Sequence, residues 1–222
     1  MNEILDKLGI YDLIAVLLSG ICIFTFTVLI LQWVYNLNLD ATLQVSETLI
    51  VLVLSYFLGL VFQEISSTIQ KKLTHPDNRL LREALKTDST SHTLLTEEEK
   101  NGVFNYVTDK LKLKEGENND NIVYNYCKYF IINNGNTSRI DRDQSLSAIS
   151  RSLSLYFALL TIVFVLSLTF NCLKMVLLVA STFLAILLYH RCIRFTKLRY
   201  INIFRTFYYG VVVNSQTKHN KN

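Results

Sequence analysis

The stretch 151–174, RSLSLYFALLTIVFVLSLTFNCLK, holds no charge between Arg151 and Lys174, and 12–40, DLIAVLLSGICIFTFTVLILQWVYNLNLD, holds none between Asp12 and Asp40. Two shorter charge-free runs adjoin them, Thr48 to Gln63 and Met175 to His190. The apolar residues come in blocks rather than along one helical face, and blocks of this length have a lipid bilayer as their natural solvent. Four spans follow: Leu13 to Val34, Val45 to Glu64, Ser152 to Leu173 and Met175 to His190. The first makes about 33 Å of helix, which matches a hydrocarbon core of about 30 Å. Tyr11 near one end, and Trp33 and Tyr35 near the other, suit the interface. The second and fourth are short and cross if flanking polar residues snorkel or the bilayer thins.

The 22 Lys and Arg residues are distributed unevenly between the loops. Lys7 alone precedes the first span, none falls between Tyr35 and Glu47, and only Lys174 separates the third and fourth. The rest lie between Glu64 and Arg151 or beyond His190. By the positive-inside rule the middle segment, the tail and both termini face the cytoplasm. Glu3, Asp6 and Asp12 against Lys7, before an apolar run longer than a signal peptide's, argue against a cleavable signal. The expected address is a bacterial inner membrane crossed several times. The formal net charge of +4 resides in the tail, where orientation and anionic headgroups explain it better than nucleic acid does. Cys22, Cys127, Cys172 and Cys192 lack metal-site spacing and read as reduced structural thiols.

With one proline, Pro76, and seven glycines, helices have few reasons to stop. The expected fold is an all-α membrane protein, with four transmembrane helices and a helical cytoplasmic domain formed by the middle segment and the C-terminal extension. Its organisation reads as a first transmembrane hairpin over 1–66 and a cytoplasmic helical segment over 67–136. A second hairpin with a cytoplasmic extension covers 137–190, and a basic-aromatic tail 191–222. Asp77 can start a helix running to Lys86. Thr96 with Glu99 matches a capping box for a helix from Glu97 to about Lys112 that buries Val103, Phe104, Val107 and Leu111. Ile122 to Ile132 reads as helix or, from its β-branched and tyrosine content, as strand. The third span should start near Thr137 or Ser138 and the fourth should continue to about Val213. Each would then be a helix of about 50 to 60 Å, joining membrane to cytoplasm as a lever.

Three groups of residues are candidates for function. Ser55, Gly59 and Gln63, continued by Ser66, Ser67 and Gln70, form a small and polar stripe on the second span. Ser147, Ser150, Ser154, Ala158 and Thr161 form another on the third. Such stripes suit close helix packing within the chain, a subunit interface or a pore lining, and packing is favoured. Asp12, Glu64 and Arg151 sit at the cytoplasmic interface, where charge is expensive unless paired. Arg151 with Glu64 or Asp12 is either a depth anchor or, less favoured, a gate. Arg191, Arg194, Lys197, Arg199 and Arg205, interleaved with Phe195, Tyr200, Phe204, Phe207, Tyr208 and Tyr209, are either snorkelling anchors or a pocket for an anionic ligand with aromatics to stack bases. No phosphate loop, HExxH or GxSxG occurs, and His75, His92, His190 and His219 do not pair as ligands. No enzymatic activity, metal or cofactor is expected.

Lys7-Leu8-Gly9-Ile10-Tyr11-Asp12-Leu13 with Gly20, Ser55-Tyr56-Phe57-Leu58-Gly59 and Arg151-Ser152-Leu153 together resemble small four-span bacterial membrane proteins of anti-phage defence systems, of the Hailong and Kiwa types. The resemblance covers the overall layout and these short motifs. It implies a homo-oligomer, with a tetramer as the guess, and in the Hailong type an ion channel held shut by a nucleotide-derived ligand made by a partner enzyme. The function expected is an inner-membrane effector that forms or gates a pore under the control of a cytoplasmic ligand or defence protein. The alternative is a non-conducting membrane scaffold that recruits a partner through Asp77 to Asn134.

Overall fold

A computed structural model describes residues 10–35, 45–74, 79–86, 94–113, 119–134, 137–167 and 172–213. These residues form seven α-helices and no strand: α1 (Ile10–Tyr35), α2 (Val45–Thr74), α3 (Arg79–Ala84), α4 (Glu97–Leu111), α5 (Asp120–Asn133), α6 (Ser138–Leu166) and α7 (Cys172–Phe207). A π-helical turn, Tyr208–Val212, follows α7 directly. Four of the helices, α1, α2, α6 and α7, are long and apolar enough to cross a membrane. The segment 122–132 is helical, and its buried residues Val123, Cys127 and Ile131 recur every fourth position. That is the period of a helix face, not of a strand. Asp77, expected to start α3, lies outside the described residues.

Helix α6 is shorter than expected. Its 29 residues make about 44 Å, against about 54 Å for the 36 of α7 at the α-helical rise. It ends at Leu166, and Leu173, assigned to the third span by sequence, belongs to α7. The charge-free run extends beyond the end of α6, because absence of charge marks an apolar environment and not a continuous helix.

The chain divides into two compact units, one of Met1–Lys72 with Ser145–Ile193 and the other of Leu73–Gln144 with Arg194–Asn222. In the first, Ile23, Tyr156 and Phe157 form a buried centre, with Phe62, Leu153, Leu160 and Leu184 against it. The Phe26 and Phe157 rings meet edge to face at 5.3 Å, as do Phe62 and Tyr156 at 5.8 Å, the geometry that ring quadrupoles favour. Thr27 Oγ1 donates to the Ile23 carbonyl at 2.8 Å. Its single hydrogen is thereby used, so at its 2.9 Å contact with Tyr156 Oη the tyrosine donates. The outer faces are apolar: Leu49, Ile50 and Phe57 on α2, Ile162 and Val163 on α6, and Val176, Val179 and Phe183 on α7 are all exposed. Only 6% of the most apolar part of the fourth span is buried within the chain, so that surface needs lipid or another protein to cover it.

The second unit has its own core. Val103 and Val107 of α4, Val123, Cys127 and Ile131 of α5, and Ile203, Phe204 and Phe207 of α7 are all buried in it. Thr96 caps α4: its hydroxyl accepts from the Glu99 N–H at 3.1 Å, and Glu99 Oε2 accepts from the Thr96 N–H at 3.0 Å. This is the reciprocal arrangement that the Thr-x-x-Glu spacing predicts. The expected buried face of α4 is corrected at its last member, since Leu111 is 39% exposed. The helix is already ending there, because Lys112 adopts the left-handed conformation with φ 51°, which turns the chain off the helix axis. Burial raises the pKa of the Cys127 thiol well above its ordinary value, so it behaves as a small apolar residue.

Candidate functional site

The stripe on α2 meets the glycine of α1. A Cβ added to Gly20 would lie 1.7 Å from the Ser55 carbonyl oxygen, and one added to Gly59 would lie 2.0 Å from that of Val16. The helices therefore cross backbone on backbone, an approach that only residues without a side chain permit. Ser55 is fully buried in this crossing. Its Oγ, and Oε1 of Gln63 two turns along, are buried without a hydrogen-bond partner.

Further along the same face, Arg151 of α6 reaches α2. Its Nε donates to Ser66 Oγ at 3.2 Å and an Nη to Gln70 Oε1 at 2.7 Å, while the Ser66 hydroxyl donates to the Gln63 carbonyl at 3.0 Å. Ser55 to Gln70 thus spans about 22 Å of helix axis, along which polar groups sit between apolar helices. The Arg151 contacts lie on this face, whereas Glu64 is turned outward and exposed. The side chain of Asp12 lies outside the described residues.

The stripe on α6 is also used inside the chain, against α7. Ser154 Oγ donates to the Ala185 carbonyl at 2.8 Å, and Thr161 Oγ1 lies 3.0 Å from Ser181 Oγ. Ser147 Oγ lies 3.4 Å from the Cys192 carbonyl oxygen and from its Sγ. Ser150 is buried and Ala158 half-buried. Small residues let α6 and α7 approach, and the hydroxyls make use of that approach.

In the second unit the basic residues of α7 are placed differently from one another. Lys197 pairs with Glu83 of α3, which also receives Arg79 at 3.0 Å. These two cations, that of Lys197 foremost, hold the Glu83 carboxyl below its ordinary pKa. Arg205 Nε donates to Glu99 Oε1 at 3.0 Å and its Nη2 to the Leu94 carbonyl at 2.9 Å. Glu99 is only 4% exposed, so Arg205 supplies the counter-charge for a buried carboxylate that also caps α4. Arg199 Nη2 donates to Tyr124 Oη at 3.3 Å, whereas its buried Nε has no hydrogen-bond partner. Arg194 is exposed, and so is Arg191, which belongs to the first unit.

The aromatic residues expected to stack bases are mostly core. Phe204 lies parallel to Phe104 at 6.2 Å, and Phe207 is ringed edge-on by Tyr106, Tyr126 and Phe130. Tyr208 is buried, and its hydroxyl donates to Glu98 Oε1 at 3.2 Å. Tyr209 stays exposed. Sequence reasoning did not single out Thr27, Tyr156, Glu99 or Tyr124 as partners in these contacts. The acidic first turn of α4 was the one available signal, and it pointed to capping alone. No metal-binding group of His, Cys, Asp and Glu occurs among the described residues. No family model, curated protein or solved structure matches this chain.

Proposed function

We propose that the chain is a non-enzymatic, homo-oligomeric effector of a bacterial inner membrane, whose spans form or gate an ion-conducting pore. In this reading the second unit lies in the cytoplasm and receives a ligand or partner, and the setting is anti-phage defence, as the resemblance of its motifs implies. The observation that carries the reading is the polar line along α2: Ser55 Oγ and Gln63 Oε1 buried without partners, and Arg151 held by Ser66 and Gln70. A helix that only anchors a domain needs nothing but apolar side chains. Polar and ionised groups inside spans carry a penalty that function repays. Four helices in one copy do not surround an aqueous path, so the reading requires several copies about one axis.

A second reading, a non-conducting scaffold that recruits a partner, is favoured by a different observation. The hydroxyls of Ser154 and Thr161 are engaged within the chain, and Gly59 is closed against α1. A pore lined by these stripes would need helices that separate. Purified protein in planar bilayers, with and without nucleotide oligomers, combined with mass measurement in detergent, distinguishes the two. The pore reading expects an oligomer with conductance steps that change on adding the oligonucleotide. A strictly monomeric, non-conducting protein would overturn it, and a silent oligomer would leave the scaffold.

A further inference from the structure

An apolar cleft opens on the first unit between α1, α6 and α7, with a volume of about 260 Å³. Phe26 and Leu29 of α1, Phe157 and Phe164 of α6, and Leu177 and Leu184 of α7 line it. Ser181 is the one polar side chain of its wall among the described residues, and its hydroxyl donates to the Leu178 carbonyl at 3.0 Å. A water there would find too few polar partners to stay, whereas apolar cavities of about 150 Å³ already hold a benzene. The space therefore suits hydrocarbon. Phe26 and Leu29 are each 40% exposed, so the α1 side of the cleft is open to whatever solvates the spans.

Lys174 stands at one end of this cleft. Positions 174, 177, 181 and 184 share a face of α7 by helical spacing, and the Lys174 ammonium donates to Ser167 Oγ at 3.1 Å, three residues beyond Phe164 of the wall. Side chains on a helix lean toward its N-terminus, so the lysine stem leads away from the cleft toward that end of α7. From Lys174 to Leu184 is about 15 Å of helix, half of a hydrocarbon core of about 30 Å. The cleft thus has the depth of one leaflet, with the cation where headgroups begin. The geometry points to a binding site for one anionic phospholipid, whose acyl chain lies in the cleft and whose headgroup phosphate meets Lys174. A headgroup brings the negative charge that Lys174 complements; an apolar side chain from a second copy brings none. An ammonium carries three N–H donors, so its bond to Ser167 and one to a phosphate oxygen are compatible. The inference goes beyond the proposed function and needs only that the spans lie in a bilayer. A protein that takes up this lipid and conducts nothing would sink the pore and leave the site standing.

The test uses the full chain in an uncharged detergent, titrated with phosphatidylglycerol or with phosphatidylcholine of identical acyl chains, and counts bound lipids by mass measurement of the intact complex. Wild type should take up its first phosphatidylglycerol at about tenfold lower concentration than its first phosphatidylcholine, the factor that one charged hydrogen bond supplies. Lys174→Gln should remove that preference and leave phosphatidylcholine uptake unchanged, while Lys174→Arg should keep it. A lysine that merely tethers Ser167 would leave the ratio of the two lipids unaltered in Lys174→Gln. Ala180 also lines the cleft, and Ala180→Phe should weaken first uptake of both lipids by about tenfold or more, since displacing about two methylenes already amounts to that factor. Val179→Phe is the matched control on an outward position that is 64% exposed, and it should bind as wild type does. If Ala180→Phe does not fold, the two Lys174 variants decide. Equal uptake of the two lipids by wild type, an undiminished preference in Lys174→Gln, or undiminished uptake by a folded Ala180→Phe would overturn the proposal. A lipid-free oligomer that persists in saturating phosphatidylglycerol would overturn it as well, by giving the cleft to a second copy.

Discussion

Gly59 shows how much a single missing side chain decides. Its added Cβ would fall 2.0 Å from the Val16 carbonyl oxygen, a backbone atom that cannot swing aside as a side chain can. Gly59→Ala must therefore push α1 and α2 apart, which strips the Ser55 environment of its close packing. The expected loss is about 1–3 kcal/mol, the usual range for overpacking, read as a lower midpoint in thermal unfolding of the detergent-solubilised protein. Gly210→Ala is the matched control, since nothing lies within 4 Å of the added atom. It should be neutral or slightly stabilising through lower unfolded-state entropy. Equal effects of the two substitutions would show that the crossing does not hold the helices together.

Elements far apart in sequence are joined in the second unit by charges, and this gives the stability of that unit a pH dependence. Glu83 of α3 is bound by Lys197 of α7 and by Arg79, and its pKa lies below the ordinary 4.5. A depressed carboxyl contributes stability that is present above its unfolded pKa and lost as pH falls through the folded one. Glu83→Gln should therefore reduce stability at pH 7 by about 1 kcal/mol or less given the exposure of these side chains, read as a lower thermal midpoint. The gap to wild type should close as the pH is taken below about 4. A gap that stays constant down to pH 3 would assign the effect of Glu83 to packing instead of charge. The capping of α4 was legible because Thr96 and Glu99 lie three residues apart and carry a known local geometry. The pairing of Arg205 with Glu99 was not, because 106 positions separate them and no periodicity spans that distance. The same holds for Arg199 with Tyr124. Local signals name the residue types a helix end needs, but they are silent about which distant helix arrives to meet them.

For the whole molecule, four charge-free runs were sufficient to find four helices long and apolar enough to span a membrane. They also misplaced one boundary, at Leu166, because hydrophobicity reports surroundings and hydrogen bonding ends helices. The polar stripes were visible as patterns, while their use was not: small residues facing one way suit a partner in the same chain and one in another copy equally well. Exposed apolar faces on α2, α6 and α7 lead to an expectation for the intact protein. On cell fractionation it should remain in the membrane pellet after alkaline carbonate washing, since bare faces of this kind have no stable place in water. Recovery in the wash would mean that protein, not lipid, covers them.

The crossing of α1 and α2 also bears on where information resides in such a chain. Leu49, Ile50 and Phe57 face outward, and any apolar side chain would serve there, so their identities specify little. Gly20 and Gly59 admit no side chain at all. The residues with least chemistry are thus the most constrained part of this hairpin, and a library of random apolar substitutions across it should tolerate change nearly everywhere except at the two positions that contribute no atoms to the contact.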